Sequence, residues 1–201
     1  MRVGLRSSLG KQGFSLLEIL GAIAVIVVIM TMLALGVRGL LPLSKSKQAH
    51  TNIVHIQQAL EAYKLSFGEY PKEVMVGGGS PSMEEILFNA LTGRMAPNGT
   101  LGNFPTLLDR SVLEFSSNAF PITGETPPQW KANAILDPWG NPFRYRYDPE
   151  DSSWENYNYV LFSAGPDARY APITVEGQPN TGHADNGDNI YADEGTYGQG
   201  L

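Results

Sequence analysis

Apolar residues run almost unbroken from Phe14 to Val37, and then the chain changes its period. The run is about 24 residues long, apolar all round a helical wheel, and interrupted by one charge, Glu18. Its length predicts a membrane-spanning helix rather than the face of a surface helix. Gly36, Gly39 and Pro42 follow, each unfavourable to helix, so a bend or local melting is expected there. Beyond them Ile53, Ile56, Leu60, Tyr63 and Phe67 recur at alternating spacings of three and four, one apolar stripe on an amphipathic helix. Lys45, Lys47, Gln48, His50, Asn52, Gln57, Glu61 and Lys64 fill much of the remainder, and Gly68 is a natural stop. A nearly continuous helix from Phe14 to Phe67 is predicted, its second half packed on a sheet.

The rest of the chain reads in shorter pieces. Gly77-Gly78-Gly79 is a loop, and it lacks the lysine that a phosphate-binding loop requires. Ser82 and Glu85 have capping-box spacing and should start a short helix bearing Ile86, Leu87, Ala90 and Leu91, closed by Gly93. From Arg94 to Lys131 Pro, Gly and Asn are frequent, and no element is assigned. Asp137-Pro138-Trp139-Gly140-Asn141-Pro142 is dense in turn chemistry. Phe143 to Tyr147 alternates aromatic and basic residues, the signature of a strand with one buried face. Tyr157 to Ser163 is its hairpin partner. The class expected is α+β, a long N-terminal helix, transmembrane in its first half, on a small antiparallel sheet.

Charge adds direction. Residues 1–13 hold Arg2, Arg6 and Lys11 of the 14 basic side chains and none of the 20 acidic ones, so the remainder stands near −9. Basic residues ahead of an apolar run predict a cytoplasmic amino terminus and a domain beyond the inner membrane. The acidity of the remainder argues against nucleic acid as a partner. With no cysteine, disulfides and thiolate metal sites are excluded.

The stretch Lys11-Gln12-Gly13-Phe14-Ser15-Leu16-Leu17-Glu18 resembles the processing signal of type IV pilins and type II secretion pseudopilins: a basic leader, a Gly-Phe cleavage site, and a glutamate fifth in the mature chain. An ordinary secretory signal has an apolar core of about 7–15 residues, shorter than this one. A plain signal anchor accounts for the length but not for Gly13, Phe14 and Glu18. The resemblance implies removal of residues 1–13 by prepilin peptidase and methylation of the new terminus at Phe14. It also implies a pilin-like fold, and pairing of Glu18 with the terminal amine of a neighbouring subunit as a filament assembles.

Asp137-Pro138-Trp139-Gly140, the aromatic strand and Leu161-Phe162-Ser163-Ala164-Gly165-Pro166-Asp167 further resemble the major pseudopilin of type II secretion. That family typically continues with a glycine and then Asp-Asp-Ile, and these elements bind calcium. Asp167 matches the first element's aspartate, and Asp188-Asn189-Ile190 matches Asp-Asp-Ile with Asn in second place. Ala168 replaces the usual glycine, the intervening loop is longer, and an insertion precedes Asp137. Independently of the family, Asp185, Asn186, Asp188, Asn189, Asp193 and Glu194 crowd oxygens into ten residues, with Gly182, Gly187 and Gly195 allowing sharp turns. Calcium wants six to eight oxygens, whereas a solvated acidic tail is the plainer account of such a run. The ligands expected are Asp167, Asp188 and Asn189, with Asp185 as a further candidate and carbonyls near Ala164 completing the shell.

His50, His55 and His183 are scattered, and neither a Gly-x-Ser-x-Gly elbow nor a His-Glu-x-x-His element occurs, so no enzymatic activity is expected. The organisation expected is a leader over 1–13, a transmembrane and filament-core helix over 14–37, an amphipathic extension over 38–68, an insertion over 69–136, and a hairpin with an acidic loop over 137–201. The function implied is that of a structural pseudopilus subunit supporting protein export. Its partners would be copies of itself, other pseudopilins, the peptidase, an inner-membrane assembly platform and the lipid bilayer before assembly. A type IV or minor pilin shares the amino-terminal signal. An uncleaved, membrane-anchored binding module is the alternative of another class.

Overall fold

The first helix, α1, spans Leu16–Phe67 in the computed structural model, which describes residues 15–76 and 78–192, with backbone alone over 33–43. Ser15 opens the helix, its Oγ accepting from the Glu18 backbone N–H at 3.4 Å. The backbone stays helical through Gly36, Gly39 and Pro42, where local melting was expected. The chain divides between Leu43 and Ser44 into two units, and each is described by itself.

In the first unit, the described side chains of α1 are bare: Leu16 is 82% exposed, Ile23 56% and Met32 71%. The expectation of a transmembrane first half is corrected here. Among the described residues no helix is long and apolar enough to cross a membrane. The expected single pass through a bacterial inner membrane, with a cytoplasmic terminus and a periplasmic domain, is not supported by any helix among the described residues.

In the second unit, the stripe on α1 is a core face. Ile53, Ile56, Leu60 and Tyr63 are buried, Phe67 packs at the edge, and Ala49 and Ala59 complete the face. The second helix, α2 (Met83–Leu91), carries both halves of the capping box: Ser82 Oγ accepts from Glu85 N–H at 3.3 Å, and a Glu85 carboxylate oxygen accepts from Ser82 N–H at 3.4 Å. Ile86, Leu87, Phe88, Ala90 and Leu91 are all buried in the same core. Gly93 closes α2 at φ +76°, where a Cβ would come within 2.3 Å of the Phe104 carbonyl oxygen.

The unassigned segment contributes strand β1 (Glu114–Phe115), antiparallel to β2 (Ile135–Leu136). The fully buried Arg94 braces it, donating to Asn103 Oδ1 at 2.9 Å and lying 3.1 Å from the Glu125 carboxylate, which Lys131 also holds at 2.9 Å. The expected hairpin is present as β3 (Arg144–Arg146) paired antiparallel with β4 (Val160–Ser163), Tyr145 opposite Leu161. A third strand, β5 (Ile190–Tyr191), adds to the far edge of β4.

The three-stranded sheet is covered on both faces. Tyr145, Leu161 and Ile190 join the core with α1 and α2, whereas Val160, Phe162 and Tyr191 form a second cluster with Trp154 and Ile173. On that second side the Arg144 guanidinium lies 4.5 Å from the Tyr170 ring centre and that of Arg146 5.3 Å from Trp154. Cation–π stacking thus lets the basic residues of β3 cover aromatic surface while remaining partly wet. The α+β class stands, and no helix among the described residues is a membrane span.

Candidate functional site

Strand register brings the acidic loop to the end of β4. Phe162 pairs with Tyr191 and Ser163 with Ile190. Continuing that antiparallel register places Ala164 opposite Asn189 and Gly165 opposite Asp188. The contacts agree: a Cβ on Gly165 would meet the Asp188 carbonyl oxygen at 2.6 Å and its Oδ2 at 2.9 Å. Gly165 has φ +67°, so this close approach needs a residue without a side chain.

The turn at Asp137 clamps the same point from below. Asp137 is fully buried. Its Oδ1 accepts from Trp139 N–H at 3.0 Å and Asn141 N–H at 2.9 Å, and its Oδ2 accepts from Ser163 Oγ at 2.6 Å. Ser163 Oγ accepts in turn from Gly165 N–H at 3.1 Å, while Asn141 Nδ2 donates to the Gly165 carbonyl at 3.0 Å. The turn motif read from sequence is therefore also the support of the loop after β4.

Asn186 orders the other side. It is buried, its Oδ1 accepts from Ala171 N–H at 2.8 Å, and its Nδ2 donates to the Asn180 carbonyl. Those partners fix which end of the Asn186 amide is oxygen. Asn189 Nδ2 donates to that oxygen at 2.9 Å, which fixes Asn189 as well. The opposite end of the Asn189 amide lies 3.3 Å from the Ala164 carbonyl oxygen and 3.2 Å from that of Arg169. Turning the amide over would let its nitrogen donate to both carbonyls, but would set its oxygen 2.9 Å from Asn186 Oδ1, oxygen against oxygen. The orientation anchored by the Ala171 N–H is preferred, and it gathers three oxygens with no hydrogen between them.

Such a cluster fits a hard cation. Calcium–oxygen distances of about 2.4 Å put neighbouring ligand oxygens roughly 3 Å apart. The residues suited to hold the ion are Asn189, through its amide oxygen, and the carbonyls of Ala164 and Arg169; the expected ligand Asp188 is placed beside Gly165. Among the described residues no group of three His, Cys, Asp or Glu side chains converges, so a shell here would rest on backbone and amide oxygens more than on carboxylates.

The other expected ligands are placed differently. Asp167 is exposed on the same turn, its Oδ1 accepting from Arg169 N–H at 2.8 Å. Asp185 is half-buried in the 3₁₀ turn Ala184–Asn186, where its N–H donates to His183 Nδ1 at 3.2 Å. Asp193 and Glu194 lie outside the described residues, as do Gly13 and Phe14 of the processing signal. Glu18 is exposed in the first turn of α1, three residues after Ser15. A carboxylate there also favours helix initiation.

Sequence reasoning missed the support by Asp137 and Ser163, the orienting role of Asn186 and the Arg169 carbonyl. The pairing of Asp137 with Ser163 is long-range and leaves no spacing to read. No family model matches the chain, and no curated protein and no solved structure matches it.

Proposed function

We propose that the chain is a structural subunit of a type II secretion pseudopilus, matured by prepilin peptidase between Gly13 and Phe14, N-methylated at Phe14, and assembled into a filament that supports protein export. The observation that carries this reading is the Gly13-Phe14-x-x-x-Glu18 pattern at the start of a helix whose apolar side chains stand bare from Leu16 to Met32. Each large aliphatic side chain gains about 1.5–3 kcal/mol when fully buried. Packing against the same helix in neighbouring copies supplies that burial, and a head-to-tail contact that does not close gives a fibre. Glu18 sets the register by pairing with the Phe14 amine of the next copy.

Calcium belongs to the same reading as the ion of the loop after β4, held by Asp188, Asn189 and the carbonyls of Ala164 and Arg169. Bound to the folded domain, it stabilises that domain by linkage. The intact mass of the amino-terminal peptide from protein made in its native host tests the assignment. A chain beginning at N-methylated Phe14 supports it, and an intact Met1 overturns it.

A further inference from the structure

We propose that Asp137 is the positioning residue of the cation site, acting through Ser163 to aim the Ala164 carbonyl. The proposal rests on the calcium reading above and adds what sets the geometry. The Ala164 carbonyl and the Gly165 N–H belong to one planar trans peptide and point in opposite directions. Ser163 Oγ takes the N–H at 3.1 Å. The carbonyl is thereby turned the other way, towards the Asn189 amide 3.3 Å off.

Ser163 can hold that N–H only while its own proton is directed elsewhere. Asp137 Oδ2 takes the proton at 2.6 Å, leaving a hydroxyl lone pair for Gly165. The Asp137 carboxylate is itself fixed by Trp139 N–H and Asn141 N–H on its other oxygen. Asn141 then grips the next carbonyl, that of Gly165, through Nδ2. The Gly165 N–H, through Ser163, and the Gly165 carbonyl, directly, are thus both tied to the Asp137 turn, which restrains the 164–165 peptide and the one after it. Asp137 and Ser163 are both fully buried, so water does not compete for these bonds.

The test uses the full chain, with calcium and terbium as probes. Calcium affinity is read by titration calorimetry, and the number of waters on bound terbium by its luminescence lifetime. Ser163→Ala and Asp137→Asn are expected to weaken calcium binding by about 10–100-fold, the usual effect of removing a group that orients a ligand. They are also expected to add about one water to bound terbium, replacing the lost carbonyl. Asn141→Ala, which keeps Asp137 and Ser163, should give a smaller loss of the same kind and serves if the buried variants fail to fold. Leu60→Ala, destabilised in the core away from the loop, should keep the affinity and the water count of the unaltered protein. Unaltered affinity and hydration in Ser163→Ala or Asn141→Ala would overturn the positioning role alone. Failure of the unaltered protein to bind either ion, or equal binding by Asp188→Ala, would overturn the calcium reading along with it.

Discussion

The Asp137 carboxylate and the Ser163 hydroxyl, 26 residues apart in sequence, lie 2.6 Å from each other with both side chains fully excluded from solvent. Ser163→Ala leaves an oxygen of Asp137 and the Gly165 N–H without this partner. An unsatisfied buried polar group costs about 1–3 kcal/mol, more when charged. The variant should unfold at a clearly lower urea concentration than the unaltered protein, and an unchanged midpoint would show that the pair contributes nothing to stability.

Leu60 tests the core face of α1. It is fully buried on the stripe that also carries Ile56 and Tyr63. Leu60→Ala should cost about 2–5 kcal/mol through lost burial and the cavity left behind. The exposed Leu65, 88% accessible on the same helix, provides the contrast. Leu65→Ala should change the unfolding free energy by no more than about 0.5 kcal/mol. Equal effects at the two positions would contradict the assignment of the stripe.

Ala168 is held at φ 60°, in the left-handed region, directly after Asp167. An L-residue there costs roughly 1–2 kcal/mol, part of which glycine returns as unfolded-chain entropy. Ala168→Gly is therefore expected to stabilise the domain by about 0.5–1 kcal/mol in denaturant titrations, against the usual direction of alanine-to-glycine changes. A destabilised variant would show that the turn does not strain Ala168.

Glu125 links the braced segment to pH. The hydrogen bond from Lys131, followed by the charges of Lys131 and Arg94, holds its carboxyl below the ordinary value of 4.5. A lowered folded pKa means stability that is fully present above the unfolded value and is lost as pH falls through the folded one. The difference in melting temperature between the unaltered protein and Glu125→Gln should shrink from about pH 6 to about pH 3. A difference independent of pH over that range would contradict the pairing.

The parts legible in the sequence are those set by local rules. The stripe from Ile53 to Phe67, the Ser82–Glu85 capping box and the alternation of Phe143 to Tyr147 each specify an element through neighbours a few residues away, and each element is present. The segment from Arg94 to Lys131 was opaque because a buried Arg94 orders it through Asn103, Ile122 and Glu125, partners that leave no period. The site was half legible. Asp188 and Asn189 do meet the Ala164 turn, since one strand register aligns them. Asp185 turns to His183 instead, because counting acidic residues ignores the local turn in which each one sits. Hydrophobic length misled most directly: the run from Phe14 to Val37 suggested a membrane span that no helix among the described residues supplies.

The distance from the Glu18 carboxylate to the nearest Phe14 nitrogen of a neighbouring copy, measured in an assembled filament, tests the proposed function most directly. The account predicts an ion pair, with a carboxylate oxygen within about 4 Å of that nitrogen. A filament in which Glu18 has no cationic neighbour would contradict it.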